Sequence, residues 1–180
     1  MKYFLPLLCL LLLACGNGDD DDAGPITPTG PVNATTVVLS VSGPDGVQNF
    51  AYRTDIDFDP AEGPEPPVVD PITLRPASNY TYELRYEEVT TSLGSRELTD
   101  PIDERGEDYL VTTETISVTL DFTPTDTDAA GDPIGLRGTL RTGGASSGVL
   151  RVNLRYQPDK DSPVTTGDLL LGAEWSVTVQ

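Results

Sequence analysis

The sequence predicts an all-β protein, an antiparallel β-sandwich of about eight strands with an immunoglobulin-like layout, behind a disordered N-terminal tether. Three observations predict it. Apolar residues recur at every second position through much of the chain after Thr35; the stretches between these runs are rich in Gly and Pro; and no segment carries the spacing of an apolar helical stripe.

The chain opens on a different pattern. Lys2 is followed by an apolar run from Leu5 to Leu13 broken only by Pro6, then by Ala14 and Cys15. A positive start, a short apolar stretch and a small residue before cysteine are the marks of a bacterial lipoprotein signal, cleaved after residue 14 with lipid placed on Cys15. An apolar run of about nine residues, rising roughly 1.5 Å each, does not cross a hydrocarbon layer of about 30 Å. The expected anchor is therefore the lipid on Cys15, and the expected address is the outer membrane. The favoured orientation is surface-exposed, with a periplasm-facing domain as the alternative. Several acyl chains hold such a protein far more firmly than one.

Residues 15–34 read as a tether. Asp19 to Asp22 follow the cysteine closely, and Gly, Pro and Thr dominate the remainder. Such a composition buries too little apolar surface to offset ordering entropy. Eighteen flexible residues would span roughly 25 Å by coil scaling, and mutual repulsion of the aspartates lengthens that. The aspartates are read either as an export signal beside the lipidated cysteine or as a solubility device.

Residues 35–180 remain as one folding unit of about 145 residues, an ordinary domain size. Its strands are expected at 37–41, 50–58, 80–86, 109–113, 116–122, 136–140, 150–156 and 175–179. In the third, Tyr80, Tyr82, Leu84 and Tyr86 alternate with Thr81, Glu83 and Arg85. Leu150, Val152, Leu154 and Tyr156 alternate with Arg151, Asn153 and Arg155, and Trp175, Val177 and Val179 with Ser176 and Thr178. Each run has one apolar and one polar face, as strands of a sandwich do. A closed barrel is the alternative. The outward positions carry Glu, Arg and Asp, so no lipid-facing band is available for a transmembrane barrel.

Composition removes several chemistries. The sequence has no histidine, its one methionine is Met1, and its two cysteines are Cys9, in the signal, and Cys15. Imidazole, thiolate and thioether ligands are missing from the folded part, so zinc and haem are not expected. Histidine-based triads and cysteine nucleophiles are excluded with them. The net charge of −18 becomes one unit more negative when Lys2 leaves with the signal, which opposes nucleic-acid binding. A carboxylate pair of the glycosidase kind is the one catalytic device left, and acids are too numerous for the sequence to single one out.

Three clusters are candidate sites. Asp55, Asp57 and Asp59 share one face of the 50–58 strand, and Asp126, Asp128 and Asp132, with Gly131, partly match a D-x-D-x-D-G calcium loop. Each set is read either as oxygen ligands for calcium or as a plain acidic surface. The second lacks its third ligand, since Ala130 stands in that place and Arg137 stands where a bidentate glutamate belongs. Arg137, Arg141, Arg151 and Arg155 are expected on the outward side of one hairpin joined by the Gly/Ser loop 143–148. They would face an anionic ligand or a partner's acidic loop, or else pair with Glu83, Glu87 or Glu174 on neighbouring strands. The tyrosines of the 80–86 strand and Trp175 are expected in the core.

Three segments carry a family likeness: Asp132-Pro133-Ile134-Gly135-Leu136, Thr142-Gly143-Gly144-Ala145-Ser146-Ser147-Gly148, and Leu154-Arg155-Tyr156-Gln157-Pro158-Asp159-Lys160. With the lipidated cysteine and acidic tether, they resemble small Bacteroidota-type surface lipoproteins that share an all-β domain and a TGAASSG/LRHEPNK-like hairpin. That group tends to carry histidine where this chain has Tyr156. The resemblance implies a surface lipoprotein serving an outer-membrane nutrient receptor. The sequence therefore leads to a non-enzymatic binding or accessory module, anchored by lipid, with an outer-membrane receptor or an extracellular ligand as partner. A structural envelope protein and a carbohydrate-active enzyme with paired carboxylates are the alternatives.

Overall fold

A computed structural model describes residues 30–54, 63, 65–90, 94–164 and 166–180. Asp55, Asp57, Asp59 and Cys15 lie outside the described residues. Eleven strands are present among those described: β1 (Thr36–Gly43), β2 (Gly46–Arg53), β3 (Val68–Val69), β4 (Ile72–Leu74), β5 (Asn79–Thr90), β6 (Gly94–Glu97), β7 (Tyr109–Ile116), β8 (Leu120–Pro124), β9 (Arg137–Thr142), β10 (Ser146–Tyr156) and β11 (Asp168–Val179). One short helix, α1 (Thr99–Glu104), and a 3-10 turn at Gly106–Asp108 lie between β6 and β7.

The strands form two sheets. The larger runs β3-β2-β1-β5-β9-β8, with β6 also paired to β5, and the smaller runs β4-β11-β10-β7. All pairings are antiparallel except β4 with β11, which is parallel. The twelve-residue β5 carries β9 on its first half and β6 on its last four residues. The sandwich is therefore as expected in class, with more and shorter strands. The extra ones are β3, β4 and β6, of two to four residues, too short for alternation to show in sequence.

Alternation is what the core uses. Val37, Leu39 and Val41 of β1, Tyr80, Tyr82, Leu84 and Tyr86 of β5, Leu150, Val152 and Leu154 of β10 and Ala173, Trp175, Val177 and Val179 of β11 are all buried. They belong to one continuous cluster drawn from both sheets. Trp175 is fully buried, and Tyr52 of β2 meets it edge-on at 5.9 Å between ring centroids. That contact ties the larger sheet to the smaller. Burying a Trp side chain contributes several kcal/mol, on the order of 3 to 5 by the cost of removing one. Trp175 Nε1 and the Tyr86 hydroxyl are enclosed without a hydrogen-bond partner among the described residues. Complete burial pushes the Tyr86 phenol far above its usual range, so it stays neutral.

Two expectations are corrected by the topology. The 116–122 run is not one strand. β7 ends at Ile116 in the smaller sheet and β8 begins at Leu120 in the larger, with Ser117 at φ 61° turning the chain between layers. Gly148 makes that corner possible, because a Cβ there would lie 2.7 Å from Val118 N and collide with the Ile116 carbonyl oxygen. Nor do β9 and β10 form a hairpin. They are consecutive in sequence but lie in different sheets, so the loop after Thr142 is a crossover between layers.

The helix also departs from expectation. Leu98 and Ile102 are fully buried one turn apart, and the Glu97 side chain accepts the Thr99 and Asp100 amides. Pro101 falls in the first turn, where its missing N–H costs nothing. Six residues are too few for a helical period to register in sequence.

Candidate functional site

The acidic loop between β8 and β9 is built around its own carboxylates. Asp126 accepts the Gly135 amide at 3.1 Å and the Leu136 amide at 2.7 Å. Asp128 Oδ1 accepts the amides of Ala130 and Asp132, both at 2.9 Å. Its Oδ2 receives Lys160 Nζ at 2.7 Å, and the same ammonium donates to the Pro133 carbonyl at 3.2 Å. The Lys160 side chain is 9 % exposed and that of Asp128 is 2 % exposed. The Lys160 hydrogen bond comes first among the causes that lower the Asp128 carboxyl below its usual range, over an opposing contribution from desolvation. A lysine ammonium thus occupies Asp128 Oδ2, one of the oxygens that a D-x-D-x-D-G loop offers to calcium, while both Asp126 oxygens accept backbone amides. Asp132 is exposed. Among the described residues, no group of three or more acidic, histidine or cysteine side chains is placed to hold a metal ion.

The four arginines are not on one face. Because β9 and β10 belong to different sheets, Arg137 and Arg141 project from the outer side of the larger sheet and Arg151 and Arg155 from that of the smaller. Arg151 lies between Glu174, at 2.7 Å, and Glu114, at 3.5 Å, its register partners on either side. Hydrogen bonding to Glu174 is the first cause of its raised pKa. Arg155 donates to the Gly167 carbonyl at 2.8 Å. Arg137 stands opposite Glu83 in register but pairs with Asp103 of α1, which holds its pKa up. Arg141 stands between Asn79 and Asp121 and has no ion pair within the described residues.

A further cluster was not legible in the sequence. Arg105, just after α1, lies over the rings of Tyr109 and Tyr156, 5.4 and 6.0 Å from their centroids, and those rings meet edge-on at 5.7 Å. Its guanidinium pairs with Asp108 and donates to the Gly30 carbonyl at 3.0 Å. Burial works against the charge on Arg105, yet the Asp108 bond and the two phenols keep its pKa raised. The residues that follow Gly30 are packed, with Val32 and Ala34 buried and Thr35 N bonded to the Glu87 carbonyl at 3.0 Å. The end of the predicted tether is therefore held to the domain by hydrogen bonds from Arg105 and Tyr109 to the Gly30 carbonyl, with Arg105 itself steadied over the two rings. Arg105 and Tyr109 are four residues apart, but Tyr156 comes from the end of β10, so no local pattern announces the cluster.

Two adjoining concavities lie on the outer face of the larger sheet. One hollow of about 480 Å³ has Ser42, Asn79, Thr81, Asp121, Thr139 and Arg141 along its walls. A second, of about 410 Å³, shares Ser42 and Thr81 and continues to Ser40, Glu83 and Arg137. Register explains the alignment. Ser42 faces Thr81, Thr81 faces Thr139, and Thr139 faces Thr123, so four hydroxyls run in one row across β1, β5, β9 and β8. Adjacent strands place them about 4.8 Å apart. All four are exposed, and among the described residues no intramolecular hydrogen bond engages their hydroxyls. Beneath the trough, burial pushes the Tyr82 phenol up to about 12, with Asp126 adding to the shift.

No family model matches the chain, and no curated protein or solved structure matches it either.

Proposed function

We propose that this chain is a lipid-anchored outer-membrane protein whose β-sandwich acts as a non-enzymatic binding module, presented at the cell surface as an accessory to an outer-membrane receptor. The observation that carries the reading is the fixed exit of the tether. Arg105 and Tyr109 hold the Gly30 carbonyl, at 3.0 and 3.4 Å, against the end of the sandwich that also carries α1, the 125–136 loop and the 157–167 loop. A leader and lipid-bearing cysteine upstream would then join the domain at that end alone. The tight turns at Pro44-Asp45, 75–78 and 143–145 and both broad sheet faces are not engaged by the tether exit.

Two linked experiments test this. Crosslinking on intact cells with the full chain should recover an outer-membrane receptor, and external protease should remove the domain without opening the outer membrane. Recovery of only abundant porins, together with protection from protease, would overturn the proposal in favour of a periplasm-facing structural role. Cys15→Ser should release a folded domain from the membrane fraction.

A further inference from the structure

The trough on the outer face of the larger sheet differs from the rest of the molecule in charge. In a chain of net charge −18, its walls carry Asp121 and Glu83 against Arg141 and Arg137, two acids and two bases. Arg137 is paired with Asp103 of α1, so Arg141 is the cation of these walls that has no acidic partner among the described residues. Long-range repulsion from the remaining acids disfavours polyanions, while the trough itself presents a balanced set of donors and acceptors.

Those donors and acceptors are uncommitted where they matter. On the opposite face, Arg151 is held between two glutamates. Here Arg141 and Asp121 stand opposite each other in register without forming an ion pair, and Asn79 lies on the other side of Arg141. An unpaired guanidinium offers up to five donors, a carboxylate only acceptors, and a carboxamide both. Next to them runs the row Ser42, Thr81, Thr139 and Thr123, each able to donate and accept. This is the complement of a chain of vicinal hydroxyl groups. One hydroxyl can accept from Arg141 or Asn79 while its neighbour donates to Asp121, and the next sugar unit meets the row of side-chain hydroxyls. The small Ser and Thr side chains leave the sheet surface low enough for a ring to lie along it.

Resting on the binding-module reading, we infer that this trough binds a neutral, polyhydroxylated saccharide chain, with Asp121, Arg141 and Asn79 reading hydroxyl pairs and the Ser42–Thr81–Thr139–Thr123 row lying under the chain. It is a lectin-like surface with no reacting group.

The test uses the full chain carrying Cys15→Ser, run by affinity electrophoresis in gels containing dextran, laminarin or galactomannan, with polygalacturonate as the polyanionic control. At least one neutral polymer should retard the protein and polygalacturonate should not. Arg141→Ala and Asp121→Ala should each weaken retardation at least tenfold. Thr139→Lys, which fills the trough from an exposed position, should abolish it, and Arg151→Ala should leave it unchanged. The Trp175 fluorescence spectrum checks that each variant is folded. Absence of retardation by every neutral polymer, equal retardation by polygalacturonate, or retardation that survives both Arg141→Ala and Thr139→Lys would overturn the inference. A receptor recovered by crosslinking without any saccharide binding would sink this inference and leave the module standing. Saccharide binding by a protein shielded from external protease would do the reverse.

Discussion

The two broad outer faces of the sandwich carry the same kinds of side chain, and the row around Arg151 on one uses them differently from the row around Arg141 on the other. On the smaller sheet, β7, β10 and β11 bring Glu114, Arg151 and Glu174 into one row, and the cation is shared between two carboxylates. On the larger sheet, the row containing Arg141 runs Asn79, Arg141, Asp121, and the arginine forms no ion pair. Identity of residue type therefore says little about availability. What decides it is which strands the topology sets side by side, since cross-strand neighbours either satisfy a charge or leave it to solvent and ligand. Both faces carry exposed apolar side chains: Ile116 and Leu169 on the smaller sheet, and on the larger Val68 and Val47, the latter opposite Ser42 at the end of the hydroxyl row.

The contrast can be probed from the core outward. Trp175→Ala removes the side chain that backs the smaller sheet and meets Tyr52 of the larger. We expect a loss of about 3 to 5 kcal/mol in denaturant unfolding. A single transition should report on both sheets; two transitions would show the faces to be carried by separable units.

The next effect distinguishes the sheets by their glycines. At Gly138 of β9 a Cβ would stand 2.7 Å from the Tyr82 ring and overlap the Thr123 carbonyl oxygen. Gly138→Ala should cost about 1 to 3 kcal/mol by overpacking and should distort the trough. At Gly172 of β11 the nearest atoms are the ends of two side chains, Asn153 Oδ1 at 3.2 Å and Leu169 Cδ2 at 3.7 Å. Gly172→Ala should be close to neutral, within about 0.5 kcal/mol, as outward surface changes are. Equal costs at the two positions would show that the larger sheet is not the tighter of the two at this layer.

A third prediction concerns the loop that borders the trough. The Asp128 carboxyl is lowered by its bond to Lys160, so its stabilising contribution is complete above the ordinary value of 3.8 and is lost as pH falls through the lower folded value. Asp128→Asn should lower the thermal midpoint at neutral pH, and the gap from the parent protein should close as the solution is acidified below 3.8. Asp132→Asn, at an exposed side chain, should show a smaller gap throughout. Millimolar calcium should raise neither midpoint, because Lys160 already holds Asp128 Oδ2 and backbone amides hold the Asp126 oxygens. A calcium-dependent rise that Asp128→Asn removes would restore the cation reading of the loop.

The smallest effect is on the charges themselves. Arg151→Ala should cost under about 1 kcal/mol, and added salt should shrink the difference, as for exposed ion pairs generally. Arg141→Ala should leave thermal stability unchanged in any salt. A measurable loss at Arg141 would show that its guanidinium is held within the protein after all.

Much of the fold was legible because alternation is a local property. Tyr80, Tyr82, Leu84 and Tyr86 report a strand with one buried side whatever lies next to it, and so do Leu150, Val152 and Leu154. Trp175 and the tyrosines of β5 were placed in the core on that basis, and they are there. The misreadings share one cause. Residues 116–122 keep their two-residue period across a corner, so a strand that changes sheets at Ser117 looks continuous. Arg137, Arg141, Arg151 and Arg155 keep the outward phase on β9 and β10, so they looked like one basic face until the intervening loop proved to be a crossover. The spacing of Asp126, Asp128 and Asp132 reads either as a calcium loop or as a plain acidic turn, and nothing in it indicates that Lys160 comes back to meet Asp128.

The sequence by itself determined the periodicity, and hence the β class and the inward and outward side of each long strand. Those follow from residue type and a repeat of two, which are properties of single segments. Only the tertiary structure decided which outward residues are neighbours. The pairing of β5 with both β1 and β9 aligned the hydroxyl row, and the separation of β9 from β10 left Arg141 free while Arg151 was taken up. The meeting of the 125–136 and 157–167 loops put an ammonium against Asp128. Contacts of that kind join segments tens of residues apart, and strand order, rather than strand pattern, sets them.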